Sequence, residues 1–436
     1  MTLFLSIVLT IWSVMHLYVF WRLASVPWVA GHLSRAALAA IALALWASYP
    51  AARILDARDV EAVARPLEFV GGTWIGVLFL LVAAVLVADV ITLGGWIVPS
   101  LRTRQPHAWP EMSRGIDVRP LTPPLSPLEG ERVPLRAGEG LSTDSAHLHG
   151  RGCVSLGPRI RGWAVVVAGA LAAIGLVQGF RPPVLREYEV PLAGLPPERD
   201  GLVLVAISDL HLGTLINGDW MTRLIQRVND LRPDLVAVLG DVVDGNIRRV
   251  EGLQPVLATL RAPLGVWAVT GNHEYYAGAE QCVRLFQDAG YNVLRDAWAE
   301  VTPGLVVAGV DDLTARRQFG RGDHPLERAL TNRPSGATIL LSHSPWQAEV
   351  AAKLGAGLML SGHTHNGQIW PFTYLVRLRY PLLGGWYKIG SMPVIVCRGT
   401  GTWGPRMRLW QPGEIVRIKL RCVPKAAGRA PLAELR

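Results

Sequence analysis

Val203-Leu204-Val205-Ala206-Ile207-Ser208-Asp209-Leu210-His211 is the stretch on which the fold turns. Five apolar residues, rich in branched side chains, read as a buried strand. The run ends in an aspartate and a histidine two positions apart, which project from one side of extended backbone and can reach one cation together. Six further runs share the texture, over 235–239, 266–269, 305–310, 338–341, 358–360 and 394–397. Amphipathic patterns lie between several of them, at 220–231 and 279–289, so residues from about 186 onward predict an α/β domain with a core of its own.

Polar clusters follow these runs, at the ends where an α/β sheet opens into its ligand crevice. In Gly240-Asp241-Val242-Val243-Asp244 the glycine permits a sharp exit, and Asp241 offers two oxygens that can bridge two cations. Asp244 reads as an acceptor for a ligand histidine or as a cap on the next segment. Gly271-Asn272-His273-Glu274 supplies an amide oxygen that binds a hard cation without adding charge, with an imidazole beside it. Ser342-His343-Ser344-Pro345 follows another apolar run, and Gly362-His363-Thr364-His365 offers two alternating histidines that can address two metals. A single such histidine would be an ordinary satisfied polar residue. Five clusters at successive strand ends instead single out Asp209, His211, Asp241, Asn272, His343, His363 and His365 as candidate metal ligands. Three other polar features are left outside this set. Asp311-Asp312 fits a turn cap, Gly322-Asp323-His324-Pro325 follows no strand, and Arg398 reads as a solvated arginine or a phosphate contact.

The motifs and their order resemble the calcineurin-like metallophosphoesterase superfamily, whose Asp-x-His, Gly-Asp-x-x-Asp, Gly-Asn-His-Glu, His and Gly-His-x-His elements are all present over about residues 186–423. Ile207-Ser208-Asp209-Leu210-His211-Leu212-Gly213, the stretch from Gly362 to Trp370 and Arg398-Gly399-Thr400-Gly401-Thr402-Trp403-Gly404 look like its bacterial membrane-associated branch. Asn366 stands where that branch usually has glycine, which bears on loop shape and on no ligand. The resemblance implies a four-layer α/β/β/α metallophosphoesterase sandwich with a dinuclear centre at the strand ends. It places Asp209, His211 and His365 on one ion, Asn272, His343 and His363 on the other, and Asp241 between them. Four protein ligands per ion leave room for water and substrate, and mixed nitrogen and oxygen donors without thiolate suit Mn, Fe, Zn or Co. Two cations about 3.5–4 Å apart lower the pKa of a bridging water, so that hydroxide attacks phosphorus in line. His273 is then the candidate for protonating the leaving oxygen or steadying the transition state, with a purely structural hydrogen bond as its other reading.

The rest of the chain speaks of lipid. Half of its 436 residues are hydrophobic and 18% are charged, and its mean hydropathy is positive. Four apolar stretches, about 1–21, 36–54, 70–98 and 163–180, are near the length that crosses a hydrocarbon core of roughly 30 Å. They predict a bundle of about four transmembrane helices ahead of the sandwich. The sequence divides into three such helices over 1–98, a Pro/Arg-rich disordered insertion over 99–160, the fourth helix and a linker over 161–185, the phosphoesterase domain over 186–423 and a tail over 424–436. His16 and Asp89 fall inside apolar runs toward the same end of their helices, where they could pair. Arg22 and Arg35 stand in the first loop without acids, whereas Asp56, Asp59, Glu61 and Glu68 offset Arg58 and Arg65 in the second. The first loop and the insertion are therefore expected inside a bacterial inner or plasma membrane and the catalytic domain outside.

The net charge of +9 comes from arginines that flank apolar runs, so membrane lipids are the expected partner and no nucleic acid is. The cysteines at 153, 282, 397 and 422 are scattered singly, which indicates neither a zinc knuckle nor a disulfide framework. Residues 370–387 mix aromatics, leucines and arginines, fitting either an interfacial dock beside the site or ordinary packing. The expected function is hydrolysis of a phosphomonoester or phosphodiester, with lipid-linked and envelope phosphoesters among the substrates that fit. A membrane sensor or scaffold that binds metal or a phosphorylated ligand without turnover is the alternative, against which the complete ligand set and His273 argue. The topology is testable by fusion: an alkaline phosphatase reporter after Arg436 should be active and a fluorescent protein that matures only in the cytoplasm dark, and the opposite pattern would reverse the orientation.

Overall fold

A computed structural model describes residues 2–102, 148–320 and 324–423. The tail expected over 424–436, most of the insertion expected over 99–160, and Gly322 and Asp323 lie outside the described residues. The N-terminal half is helical: α1 (Thr2–Leu23), α2 (Pro27–His32), α3 (Arg35–Ala57), α4 (Glu61–Arg102) and α5 (Leu148–Phe180). Four of these are long and apolar enough to cross a membrane, over Ser6–Leu23, Arg35–Ala57, Glu61–Leu93 and Leu156–Phe180. The described flanks of the insertion, 99–102 and 148–160, are helical rather than irregular. An existing helix gains a hydrogen bond for each residue it adds, so α4 and α5 run on into polar sequence.

His16 and Asp89 do not pair. The His16 Nδ1 donates to the Trp12 carbonyl and its Nε2 accepts from Trp74 Nε1, each at 2.8 Å. Asp89 instead meets Arg22 at 2.7 Å and Arg161 at 2.8 Å and accepts from the Tyr18 hydroxyl. Two guanidiniums at its own level are better partners for a carboxylate than an imidazole already satisfied along its helix. This cluster ties α1, α4 and α5 together at one end.

From residue 184 the chain builds β1 (Val184–Leu192), β2 (Val203–Ile207), α6 (Gly218–Asp230), β3 (Leu235–Val238), α7 (Arg248–Glu251), α8 (Gln254–Leu257), β4 (Val266–Ala268), α9 (Asn272–Ala277), α10 (Ala279–Asp288) and β5 (Asn292–Val293). It continues through β6 (Ala297–Thr302), β7 (Leu305–Gly309), α11 (Leu313–Gln318), α12 (Pro325–Leu330), β8 (Ala337–Leu341), α13 (Ala348–Lys353), β9 (Leu358–Ser361), α14 (Phe372–Arg379), β10 (Gly385–Ile389), β11 (Met392–Val396) and β12 (Glu414–Cys422). The strands form two six-stranded sheets, ordered β1-β12-β2-β3-β4-β5 and β10-β11-β9-β8-β7-β6. Alternation along each strand sets the layers. Leu204, Ala206, Leu235 and Ala237 of the first sheet face Leu305, Val307, Ile339 and Leu360 of the second. On the outer faces, Val205, Ile207 and Val236 pack under Met221, Ile225 and Phe286, and Ala308, Leu340 and Met359 pack under Leu326, Leu330 and Ala351. The result is the α/β/β/α sandwich that the sequence implied. All seven apolar runs are strands; β1 and β12 escape the criterion because charged side chains such as Arg186, Glu187, Arg417 and Lys419 interrupt them.

Sandwich and bundle are docked on each other. Arg249 reaches Asp56 at 3.1 Å and Glu61 at 2.7 Å in the turn between α3 and α4, and Arg248 meets Asp59 at 2.6 Å. Ile369, Met407 and Leu409 are buried with Leu78, Ala168 and Ala172 of the bundle. Because Asp56 is buried, Arg249→Ala should leave a desolvated carboxylate short of its cation and cost about 1–3 kcal/mol. Thermal unfolding of the full chain in detergent reads this as a drop of several degrees, and an unchanged midpoint would mean that this contact does not hold the two parts together.

Candidate metal centre

The sandwich brings its strand ends to one edge, and five short loops meet there. Asp209 and His211 follow β2, Asp241 follows β3, Asn272 and His273 open α9 just after β4, His343 follows β8, and His363 and His365 follow β9. Two glycines make the meeting possible. Gly240 turns with φ +86°, and a Cβ on it would lie 2.5 Å from the Gly271 nitrogen, while a Cβ on Gly271 would lie 2.2 Å from the Asp241 carboxylate.

Six of the seven candidate ligands fall in clusters whose donor atoms lie within 4.8 Å of one another, Asp209, His211 and His365, and Asp241, His343 and His363; a third such cluster is His211, Asp244 and His273. Asn272 precedes His273, whose backbone donates to Asp241 Oδ1 at 2.9 Å. His365 Nε2 is 3.3 Å from Asp209 Oδ1 and 3.0 Å from His211 Nε2. On the other side His343 Nε2 is 3.1 Å from Asp241 Oδ2 and 3.3 Å from His363 Nδ1. Asp241 Oδ2 also lies 3.9 Å from His211 Nε2, so one carboxylate oxygen stands between the two groups. His343 Nδ1 donates to the Leu239 carbonyl at 2.7 Å, which turns the Nε2 lone pair toward the centre.

The donor set fits divalent cations. Asn272 Oδ1 and His211 Nδ1 are buried without a hydrogen-bond partner, a cost that a cation beside Asn272 would remove. Burial, assisted by His273, pushes His211 down to about 3, and burial with His343 pushes His363 to about 4, so both are neutral imidazoles with lone pairs to give. Burial opposes ionisation of Asp241, yet His343 and His273 outweigh it and hold the carboxyl well below its usual range.

His273 behaves differently. Burial would lower its pKa, but Asp241 and Asp244 prevail and raise it to about 9, with Nδ1 3.0 Å from Asp244 Oδ1. Asp244 therefore holds this histidine rather than one of the seven. Its edge faces Trp403, with ring centroids 5.9 Å apart.

Several residues that organise the site were not singled out in the sequence. Glu274 accepts from the backbone nitrogens of Asp241, Val242, Val243 and Gly271 at 2.7–3.0 Å. Its position three residues past Gly271, at the start of α9, is a helix-start signal that could have been read. Tyr380 places its hydroxyl 2.7 Å from His363 Nε2. Arg408, buried and lowered by that burial to about 10, donates to the carbonyls of Arg398, Gly399 and Gln411. Tyr380 ends α14 inside the 370–387 stretch, whose aromatics and arginines did not single it out, and Arg408 arrives from a distant loop without a sequence signal. Of the residues set aside, Asp312 caps α11 and accepts from Ser344, Asp311 accepts from Thr270 and Arg295, and the Arg398 backbone donates to Glu414. Asn366 has φ 52° and ψ 30°, a left-handed geometry that asparagine tolerates better than most residues, so the loop keeps its shape without glycine.

Comparisons with known proteins identify the family of the sandwich. The profile of the calcineurin-like phosphoesterase family matches residues 202–367. A "Transmembrane protein with metallophosphoesterase domain" of Danio rerio is 35% identical over 271 residues, 59% of this chain and 62% of that protein. An "Uncharacterized metallophosphoesterase" of Aquifex aeolicus is 35% identical over 241 residues, 54% of this chain and 91% of that protein. The match thus spans less than two thirds of the Danio relative and nearly all of the Aquifex one. Among solved structures, a dimetal phosphatase from Danio rerio overlays with a TM-score of 0.30 at 14% identity, covering 46% of this chain and 88% of that one.

Removing the Glu274 carboxylate should loosen the loop that presents Asp241. Glu274→Gln is expected to weaken divalent-metal affinity 10–100-fold with the fold retained, measured by calorimetric Mn²⁺ titration. Wild-type affinity in that variant would show the clamp to be dispensable.

Proposed function

The chain belongs to the calcineurin-like phosphoesterase family, and from that premise we propose that it is a membrane-integral, dinuclear-metal phosphohydrolase that cleaves a phosphomonoester or phosphodiester. The observation that carries the reading is the single Asp241 oxygen standing 3.1 Å from His343 Nε2 and 3.9 Å from His211 Nε2, with the other donors grouped on either side. In this reading Asp209, His211 and His365 would hold one ion and Asn272, His343 and His363 the other, with Asp241 available to either. Two divalent cations, drawn from Mn, Fe, Zn or Co, would supply the Lewis acidity that activates water and neutralises the phosphoryl oxygens.

The chain's own residues do the rest. Asp244 holds His273 by Nδ1 at 3.0 Å, leaving Nε2 to face the substrate. As an imidazolium it carries the proton that the departing oxygen needs. Tyr380 limits the freedom of the His363 ring, and Trp403 walls the side on which His273 stands.

Substrate and side of the membrane belong to the same proposal. The mouth of the site is flanked by Tyr380, at the end of α14, and Trp403. Phe372 at the start of α14 packs on Phe79 of α4, with ring centroids 5.4 Å apart, while Leu375 and Leu378 are exposed. An apolar helix joined to the bundle beside the catalytic mouth favours an amphiphilic, lipid-linked or envelope phosphoester. The arginine distribution favours the extracytoplasmic face of a bacterial inner or plasma membrane for this mouth.

The test is hydrolysis of p-nitrophenyl phosphate and bis-p-nitrophenyl phosphate by the full chain in detergent, after chelation and Mn²⁺ re-addition. Turnover should disappear on chelation, return with metal, and fall at least ~10³-fold in Asp241→Asn with the melting profile retained. A metal-loaded protein inactive on both esters would favour the sensor.

A further inference from the structure

Arg406 is a buried charge without a counter-ion among the described residues. It is 7% exposed, and among the described residues its guanidinium meets no carboxylate and no hydrogen-bond acceptor; its Nε is buried without a partner. The Phe180 ring lies against it, 5.1 Å from the guanidinium carbon to the ring centroid. Burial lowers its pKa to about 10 with nothing opposing the shift, and the group is still a cation at neutral pH. A desolvated cation of this kind is costly until an anion joins it.

The guanidinium lines a cavity of about 370 Å³ shared with Arg65, Pro66, Phe69, Phe180 and Leu215. Arg65 is exposed and, among the described residues, also lacks an anionic partner. The cavity is therefore lined by two arginines that lack an anionic partner among the described residues and by two phenyl rings, one of them against the Arg406 guanidinium.

Its level in the molecule identifies the anion. Arg161 and Asp89 form their ion pair at one end of the bundle, and Phe180 and Phe69 stand at the other with centroids 6.3 Å apart. Each helix covers about twenty residues between those marks, or ~30 Å, the thickness of a hydrocarbon core. The two rings thus mark the boundary between acyl chains and headgroups on the side of the sandwich, where lipid phosphates lie.

We propose that this cavity binds the phosphate headgroup of an anionic membrane lipid, with Arg406 and Arg65 on the phosphate and Phe69 and Phe180 against the first part of the chains. The site is separate from the metal centre and needs no hydrolysis; it rests only on the reading that the bundle spans a membrane. It bears on the centre all the same. The Pro405 carbonyl beside Arg406 and the Trp403 carbonyl both accept from Gln368, so a lipid that seats Arg406 also steadies the loop whose Trp403 walls His273.

The experiment compares thermal unfolding of the full chain in nanodiscs of phosphatidylcholine and in nanodiscs with one third phosphatidylglycerol. Wild type should unfold about 3–6 °C higher with the anionic lipid. Arg406→Met should lose that rise while unfolding in phosphatidylcholine at or above the wild-type temperature, because an apolar side chain there removes an uncompensated charge. Arg65→Gln, at an exposed position, keeps the test decisive if Arg406→Met fails to fold, and should reduce the rise by about half. No rise in wild type, or a full rise in Arg406→Met, would overturn the site. The same rise from millimolar inorganic phosphate in phosphatidylcholine discs would overturn the lipid assignment, and failure to enter nanodiscs would overturn the spanning bundle on which the site rests.

Discussion

Four backbone N–H groups pointing at one buried carboxylate are the constraint from which the rest of the centre follows. Glu274 gathers the nitrogens of Asp241, Val242 and Val243 from the loop after β3 and that of Gly271 from the loop after β4. Without it these donors would be unpaired inside the protein, each at a cost of ~1–3 kcal/mol. With it, two strand exits become one rigid piece, and Asp241 is presented between two groups of donors rather than to one of them. The same arrangement leaves the Asp241 carboxylate free of Glu274 and able to accept from the His273 backbone at 2.9 Å.

That rigidity is needed because the centre is built on unfavourable backbone. Asp209, His211, Asp241, His363 and His365 all have positive φ, between 48° and 71°. Residues with a Cβ resist this region by roughly 1–2 kcal/mol each. Five such residues persist only because the sheets and the surrounding hydrogen bonds overdetermine them. The gain is directional: a left-handed residue at a strand exit throws its side chain out of the sheet plane and into the crevice. Neutral His211 and His363, anionic Asp241 and cationic His273 then differ in charge because their neighbours differ, which lets one small volume hold donors for a cation and a proton for a leaving group.

How much of this was legible follows from how local each signal is. Strands buried on both faces announce themselves as apolar runs, and all seven runs are strands; β1, largely exposed, and β12, laced with charge, do not. The seven converging side chains follow their strands at once in sequence, so motif and topology together find them. Trp403 lies in a stretch marked by its resemblance and Tyr380 in one read as a dock or as packing, but nothing local aims either at a particular histidine, and Arg408 carries no pattern at all. Asp244 shows the intermediate case, where the residue was marked as an acceptor for a histidine but the sequence could not choose His273 over the ligands. The pairing of Asp89 with Arg22 and Arg161, instead of His16, was hidden for the same reason, since helix rotation is set by packing and not by spacing.

The bundle is more than a tether in this arrangement. Arg53 of α3, paired with Glu68 at 3.1 Å, packs against Gly245, where an added Cβ would lie 2.9 Å from its guanidinium. Gly245 adjoins Asp244, the residue that holds His273, so a cation of the helical bundle stands one residue from the Asp244–His273 pair. On the opposite flank, Gly76 and Gly175 admit Met407, whose loop also bears Arg408 and Trp403. The two flanks of the catalytic mouth are therefore each packed on a different pair of helices. A sandwich cut from its bundle would expose Ile369, Met407 and Leu409 and would lose the cation behind Asp244, leaving the metal ligands in place while slackening the residues that surround them. The Glu274 clamp would stay whole inside the sandwich, whereas Trp403 and Asp244 would lose the support of the helical bundle.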